Sequence, residues 1–316
     1  MQKEKDIVIT LSKLCRYVLN SNYRFAINGI RFGHYKSMGD KEYLTRVFHG
    51  MLGYKPDLDH PATFNEKLQW LKLHDRKNIY TTMVDKYEVK SHVAKLIGEE
   101  YIIPTLGVWD GFDEIDFKCL PDQFVLKCTH DSGSVVIVPD KSIFDREKAR
   151  KKLERGLHRD FYAAGREWPY KNVKPRIIAE AYMGDGVNAD LRDFKLQCFA
   201  GCVDNILVCT DRFSSKGVRY FYFDRDWNFL PYTKEKYDDI DLNDLNRFKP
   251  QNLALMISLA EVLSAGFPEL RVDFYEINGK VYFGELTFYS DGGFDNTITR
   301  EADVAMGEKL KLPTDA

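Results

Sequence analysis

Asn278-Gly279 constrains the fold of this chain more than any other pair of residues. It separates two runs, Leu270–Ile277 and Lys280–Leu286, in which apolar and polar residues alternate. Two residues that tolerate positive φ leave room only for a tight turn, so the runs pair as antiparallel neighbours. In that register paired residue numbers sum to about 557, so Asp273 faces roughly Phe283–Glu285. Asp273 and Glu285 can then share a face, and Arg271 joins Asp273 because side chains alternate with period two. The apolar neighbours Val272, Phe274, Phe283 and Leu286 argue for a buried sheet. Two inward carboxylates repel unless a cation lies between them, so the pair reads as a magnesium site that also meets terminal phosphates. The bland alternative is a surface hairpin with scattered charges.

A second hairpin lies at Phe124–Val138. One strand ends in Lys127, a polar loop turns at Ser132-Gly133-Ser134, and a second strand follows. A strand-end lysine beside a loop rich in free N–H groups can grip a polyphosphate, with Gly133 allowing close backbone approach. An ordinary polar hairpin with a snorkelling lysine fits the same residues. Lys86 follows Asp85 at an expected helix start, where a cation is disfavoured unless an anion lies near. It is a candidate second phosphate contact. Glu180-Ala181-Tyr182-Met183 ends an apolar strand in an acid, with polar groups and apolar surface suited to adenine. Asp193-Phe-Lys195 projects opposite charges from one strand face, either toward ribose or phosphate or as a structural ion pair. His130 and His158 lack partners at ligand spacing, and no catalytic histidine is expected.

The chain reads as α+β: a mainly helical region over 1–100, a small lobe with the phosphate loop over 101–183, and a large lobe with the metal pair over 184–316. Thr63-Phe-Asn-Glu66 is a capping box, and a helix from Asp85–Glu88 stops at Gly98. Strands are expected at 192–200, 203–210 and 218–224, and a helix at 250–265. Residues 7–20 have helical apolar spacing, for core packing or for a membrane surface. With 316 residues, 44% of them hydrophobic, a full core is within reach. Lys plus Arg number 46 against 48 Asp plus Glu, which argues against a general nucleic-acid binder. Six cysteines without a CxxC pair read as reduced thiols. No run approaches the roughly 18 apolar residues of a membrane helix, and no signal-peptide core follows Met1, so a cytoplasmic protein with access to ATP is expected.

In this order the residues resemble the ATP-grasp superfamily and, more narrowly, the TupA-like ATP-grasp family of teichuronopeptide and polysaccharide biosynthesis. The carrying stretches are Pro61–Asp75, Val84–Tyr87, Gly98–Pro104, Phe124–Val138, Asp193–Phe199, Arg271–Phe274, Gly284–Phe288 and Gly292–Phe294. The resemblance implies an ATP-grasp fold, two α+β lobes whose antiparallel sheets clamp ATP. It implies a carboxylate that attacks the γ-phosphate and an acyl phosphate captured by an amine. Lys86, Lys127 and Ser132–Ser134 would then hold phosphates, Glu180 to Met183 the adenine, and Asp193 the nucleotide. Asp273, Glu285 and Thr287 would bind Mg²⁺, and Arg271 would act with Lys195 on the acyl phosphate. Two departures stand out: Thr287 replaces the asparagine common at that position, and Asp131 puts a negative charge in the phosphate loop.

The implied protein is a carboxylate–amine ligase of cell-surface polysaccharide biosynthesis. Its partners would be ATP, a uronic acid or amino acid, an amine and, peripherally, a polysaccharide assembly complex. Tyr220, Phe221, Tyr222 and Trp227 read either as core or as sugar-stacking surface, and loops 160–175 and 211–219 as substrate selectors. A kinase outcome on the same site stays open. The competing reading is a nucleotide-sugar glycosyltransferase with Asp224-Arg-Asp226 as its metal motif, and a third is a nucleotide-binding scaffold.

Overall fold

The computed structural model describes residues 2–184, 192–210, 218–237 and 241–313; most of the loop expected to select substrate, residues 211–217, lies outside them. Six helices come first: α1 (Gln2–Leu19), α2 (Ser21–Phe32), α3 (Asp40–Leu52), α4 (Phe64–His74), α5 (Ile79–Val84) and α6 (Glu88–Ile97). The capping box forms, with the Thr63 hydroxyl accepting from the Glu66 N–H at 3.3 Å and the Glu66 carboxylate from the Thr63 N–H at 3.1 Å. α6 starts at Glu88 rather than at Asp85, and Asp85 stands ahead of it with its carboxylate accepting from the Tyr87 and Glu88 N–H groups. Lys86 therefore sits between two helices.

β1 (Thr105–Trp109), β2 (Phe124–Cys128), β3 (Val135–Val138), α7 (Arg146–Leu157), α8 (Phe161–Gly165) and β4 (Ile177–Ala181) follow. Their strands form an antiparallel sheet in the order β1-β4-β2-β3. Strand alternation splits this sheet. Phe124, Leu126, Ile177 and Ala179 pack with Ala149 and Leu153 of α7, while Lys127 and Glu180 take the other face.

The larger sheet is built from β5 (Asp193–Phe199), β6 (Cys202–Thr210), β7 (Arg219–Asp224), β8 (Phe229–Leu230), β9 (Glu269–Ile277) and β10 (Lys280–Thr287). Its order is β10-β9-β5-β6-β7-β8, again antiparallel throughout. α9 (Leu253–Ser264) and α10 (Arg300–Lys309) pack with it. Phe64, Leu68, Tyr80, Met83 and Val89 of α4–α6 share one core with Leu196, Val272, Phe274, Met256 and Ala260. The helices of the first hundred residues thus help to build the large-sheet core. α2 and α3 form a separate cluster around Phe25, Tyr43 and Phe48 that captures Phe294. On α1, Leu11, Leu14 and Val18 are more than half exposed, so this apolar stripe is not core.

The expected hairpin is present, with Asn278 at φ 52 and Gly279 at φ 73. Its regular register runs from Lys280↔Ile277 to Phe283↔Phe274, then shifts by one residue at Gly284, so Glu285 pairs with Asp273 and Thr287 with Arg271. An unbroken ladder would have set Glu285 opposite Val272, on the other face of the sheet. The bulge brings the two carboxylates together.

The sugar-stacking alternative is corrected by burial. Phe221, Tyr222 and Trp227 are core residues, and Trp227 stacks on Phe223 at 4.2 Å; of the four aromatics only Tyr220 is exposed. All six cysteines are free. Among the described residues no helix is long and apolar enough to cross a membrane.

Candidate active site

Three adjacent strands, β5, β9 and β10, line up Lys195, Asp273 and Glu285 in one row and Gln197, Arg271 and Thr287 in the next. Asp273 is only 1% exposed. One carboxylate oxygen accepts from Arg271 Nε at 2.7 Å; the other accepts from Arg271 Nη2 at 2.9 Å and from the Lys195 ammonium. Burial by itself would raise this acid, but the two cations outweigh burial and hold it below its ordinary value. Lys195 also pairs with Asp193 at 2.7 Å. Burial opposes its charge, yet Asp273 and Asp193 raise its pKa. Arg271 reaches Glu285 at 3.3 Å and donates to the Thr287 hydroxyl at 3.0 Å. Of the paired carboxylates only Glu285 is substantially open, at 43%.

The small sheet carries a second charged group. Glu180, nearly buried, binds Lys127 at 2.6 Å and Lys90 at 2.5 Å. Burial pushes its pKa up, and the two lysines pull it below the ordinary value. Glu180 and Lys127, which sequence analysis placed in separate roles, are thus direct partners. Lys90 was missed. It also donates to the Ile103 carbonyl at 2.7 Å and anchors α6 to the sheet. Its position four residues after Lys86 was the available signal.

The loop between β2 and β3 has a buried and an open half. Asp131 is buried and accepts from the Ser134 hydroxyl, while Lys86 donates to its carbonyl. The carboxylate therefore points away from the loop tip, which removes the expected clash with phosphate. Ser132 and Gly133 are exposed; Gly133 has φ 96 and no atom within 4 Å of where a Cβ would sit. Beyond Glu180, the Ala181 N–H donates to the Pro104 carbonyl at 3.0 Å, and Tyr182 and Met183 are half-buried.

Asp224 spends its carboxylate on the N–H groups of Asp226 and Asn228 in a tight turn. Both sheets are antiparallel, so neither the Asp224-Arg-Asp226 motif nor a parallel nucleotide-sugar sheet has structural backing.

The sequence matches the TupA-like ATP-grasp family over residues 66–311. The chain belongs to that family. Its two antiparallel sheets and flanking helices are accordingly an α+β ATP-grasp fold. A search of curated proteins found no match. Among solved structures, the chain is similar to D-alanine–D-alanine ligase from Bacillus anthracis complexed with ATP, at 15% identity and a TM-score of 0.39, covering 72% of this chain and 61% of that one. The Helicobacter pylori D-alanine–D-alanine ligase gives 16% identity and a TM-score of 0.38, with 78% and 69% covered. A RimK domain ATP-grasp protein from Sphaerobacter thermophilus gives 15% identity and a TM-score of 0.39, with 73% and 69% covered.

Mg²⁺ ordinarily takes one or two protein carboxylates and completes its shell with phosphate and water. Glu285 is open to such an ion, whereas both Asp273 oxygens accept from Arg271 and Lys195, so Asp273 would share an ion only by giving up part of that pairing. Among the described residues no cluster of three or more His, Cys, Asp or Glu ligands exists.

Proposed function

We infer that the protein is an ATP- and Mg²⁺-dependent ligase that joins a carboxylate to an amine through an acyl phosphate. The observation that carries this reading is the Lys195–Asp273–Glu285 row with Arg271 beside it, in a chain of ATP-grasp family. Lys127 holds the nucleotide phosphates, Lys90 and Glu180 keep Lys127 in place, and Ser132-Gly133 closes over the phosphates. The Glu180 carboxylate is occupied by two lysines, so adenine is met by the backbone of Ala181–Met183. Asp273 and Glu285 would hold Mg²⁺, which would supply charge neutralisation on the phosphate oxygens.

In the first step a substrate carboxylate oxygen bonds to the γ-phosphorus, and the bond to the β-phosphate oxygen breaks, releasing ADP. An amine nitrogen then bonds to the acyl carbon, phosphate leaves, and the amine proton passes to solvent. Arg271 and Lys195 stabilise the charge on the transferring group. Family membership supports a carboxylate-bearing sugar or an amino acid as acceptor, within cell-surface polysaccharide biosynthesis.

Calorimetric titration with AMP-PNP and Mg²⁺ tests the site. Asp273→Asn should bind at least about tenfold more weakly than wild type, because a neutral amide replaces the carboxylate that the cation needs. Equal binding by both proteins, or binding of UDP- and GDP-sugars alone, overturns the reading.

A further inference from the structure

The turn Ser290–Gly293 leaves β10 and runs through left-handed backbone at Asp291 (φ 49), Gly292 (φ 61) and Gly293 (φ 65). Successive left-handed residues do not hold themselves in place. Here α4 holds them. Lys72, fully buried, donates to the Gly292 carbonyl at 2.5 Å, the Gly165 carbonyl at 2.8 Å and Gln69 Oε1 at 3.1 Å, which uses all three ammonium protons. Gln69 donates to the Gly293 carbonyl at 2.6 Å. A Cβ on Gly293 would lie 2.3 Å from the Gln69 side-chain nitrogen and 2.9 Å from Leu68 Cβ, so any other residue there would have to displace the Gln69 amide. Asn65, one turn earlier on the same face, exchanges hydrogen bonds with the Asp295 backbone at 3.0 and 3.2 Å.

The other end of the turn reaches the active site. The Ser290 hydroxyl lies 3.4 Å from Arg271 Nη1 and 3.3 Å from Gln197 Oε1. A buried ammonium is a costly way to fill space, and an apolar side chain would pack α4 at lower cost. What a lysine adds is a fixed set of donors that ties two distant backbone segments to one helix.

We propose that Lys72 and Gln69 are positioning residues of the ligase centre, holding the Ser290–Gly293 turn so that Ser290 fixes the outer edge of the Arg271 guanidinium. The inference rests on the ligase reading above. Neither residue touches the nucleotide-binding groups of the small sheet, so the loss on mutation falls on turnover and spares nucleotide affinity.

The test measures AMP-PNP·Mg²⁺ binding and ADP formation from ATP for wild type, Lys72→Met, Ser290→Ala and the double variant. Lys72→Met should keep analogue affinity and KM for ATP within about twofold while kcat for ADP formation falls about tenfold. The double variant should be no slower than Lys72→Met, because both changes break one chain of contacts. If Lys72→Met does not fold, Gln69→Met and its double with Ser290→Ala are read in the same way. Wild-type kcat in the lysine or glutamine variant, or losses that multiply in the double, overturns the inference alone. A wild type that binds no analogue overturns the ligase reading and this inference with it.

Discussion

At the scale of single residues, buried charge sets the behaviour of the protein. Glu180 and its two lysines are the clearest case. Their carboxylate is held below its ordinary value of 4.5, so its contribution to stability is present above that pH and is lost as the pH falls below it. Glu180→Gln strands two lysines, one of them nearly buried, and should cost about 3 kcal/mol at neutral pH, read by denaturant unfolding. The variant should also lose less stability than wild type below pH 4.5. Glu269 behaves oppositely. It is buried, accepts from Gln197 at 2.7 Å, and burial drives its pKa well above 4.5. Its stabilising contribution is therefore full below 4.5 and is lost as the pH rises toward the folded value. Glu269→Gln should flatten the fall of Tm across that window; an unchanged slope would show that another group governs it.

At the scale of elements, one bulge does most to place the site. Gly284 shifts β10 by one residue, and a Cβ there would lie 3.1 Å from the Asp273 carbonyl and from the Tyr275 ring. Gly284→Val should strain the bulge by about 1–2 kcal/mol and weaken Mg²⁺-dependent nucleotide binding along with stability. Loss of stability without any change in binding would show that the register survives. The hairpin at Asn278-Gly279, the capping box and the β2–β3 hairpin were legible in the sequence, since each is a local arrangement with its own residue signature. The bulge was not. Its only mark is one glycine in a strand, and the turn-based register leads to the right pair of carboxylates only because the ladder slips there. The role of Lys90 was hidden for a related reason: it depends on how α6 lies across the small sheet.

At the scale of the whole molecule, α4–α6 are part of the large-sheet core. A fragment of residues 101–316 loses Phe64, Leu68, Tyr80, Met83 and Val89 from that core. It should not unfold cooperatively, as a calorimetric melt would show; a sharp transition near that of the full chain would mark the helical region as an independent unit. The sequence by itself determined the α+β class, the antiparallel pairing around Asn278-Gly279 and the family, because these rest on periodicity, turn chemistry and residue order. It also pointed to Asp273, Glu285, Arg271 and Lys127. Only the tertiary structure decided that Glu180 is shared by Lys90 and Lys127, that Asp131 turns away from the loop tip, and that α4 grips a left-handed turn beside Arg271. Those outcomes join residues up to 224 positions apart, as in the bond from Gln69 to Gly293. Contacts of that span follow from how packed elements meet, which no local pattern records.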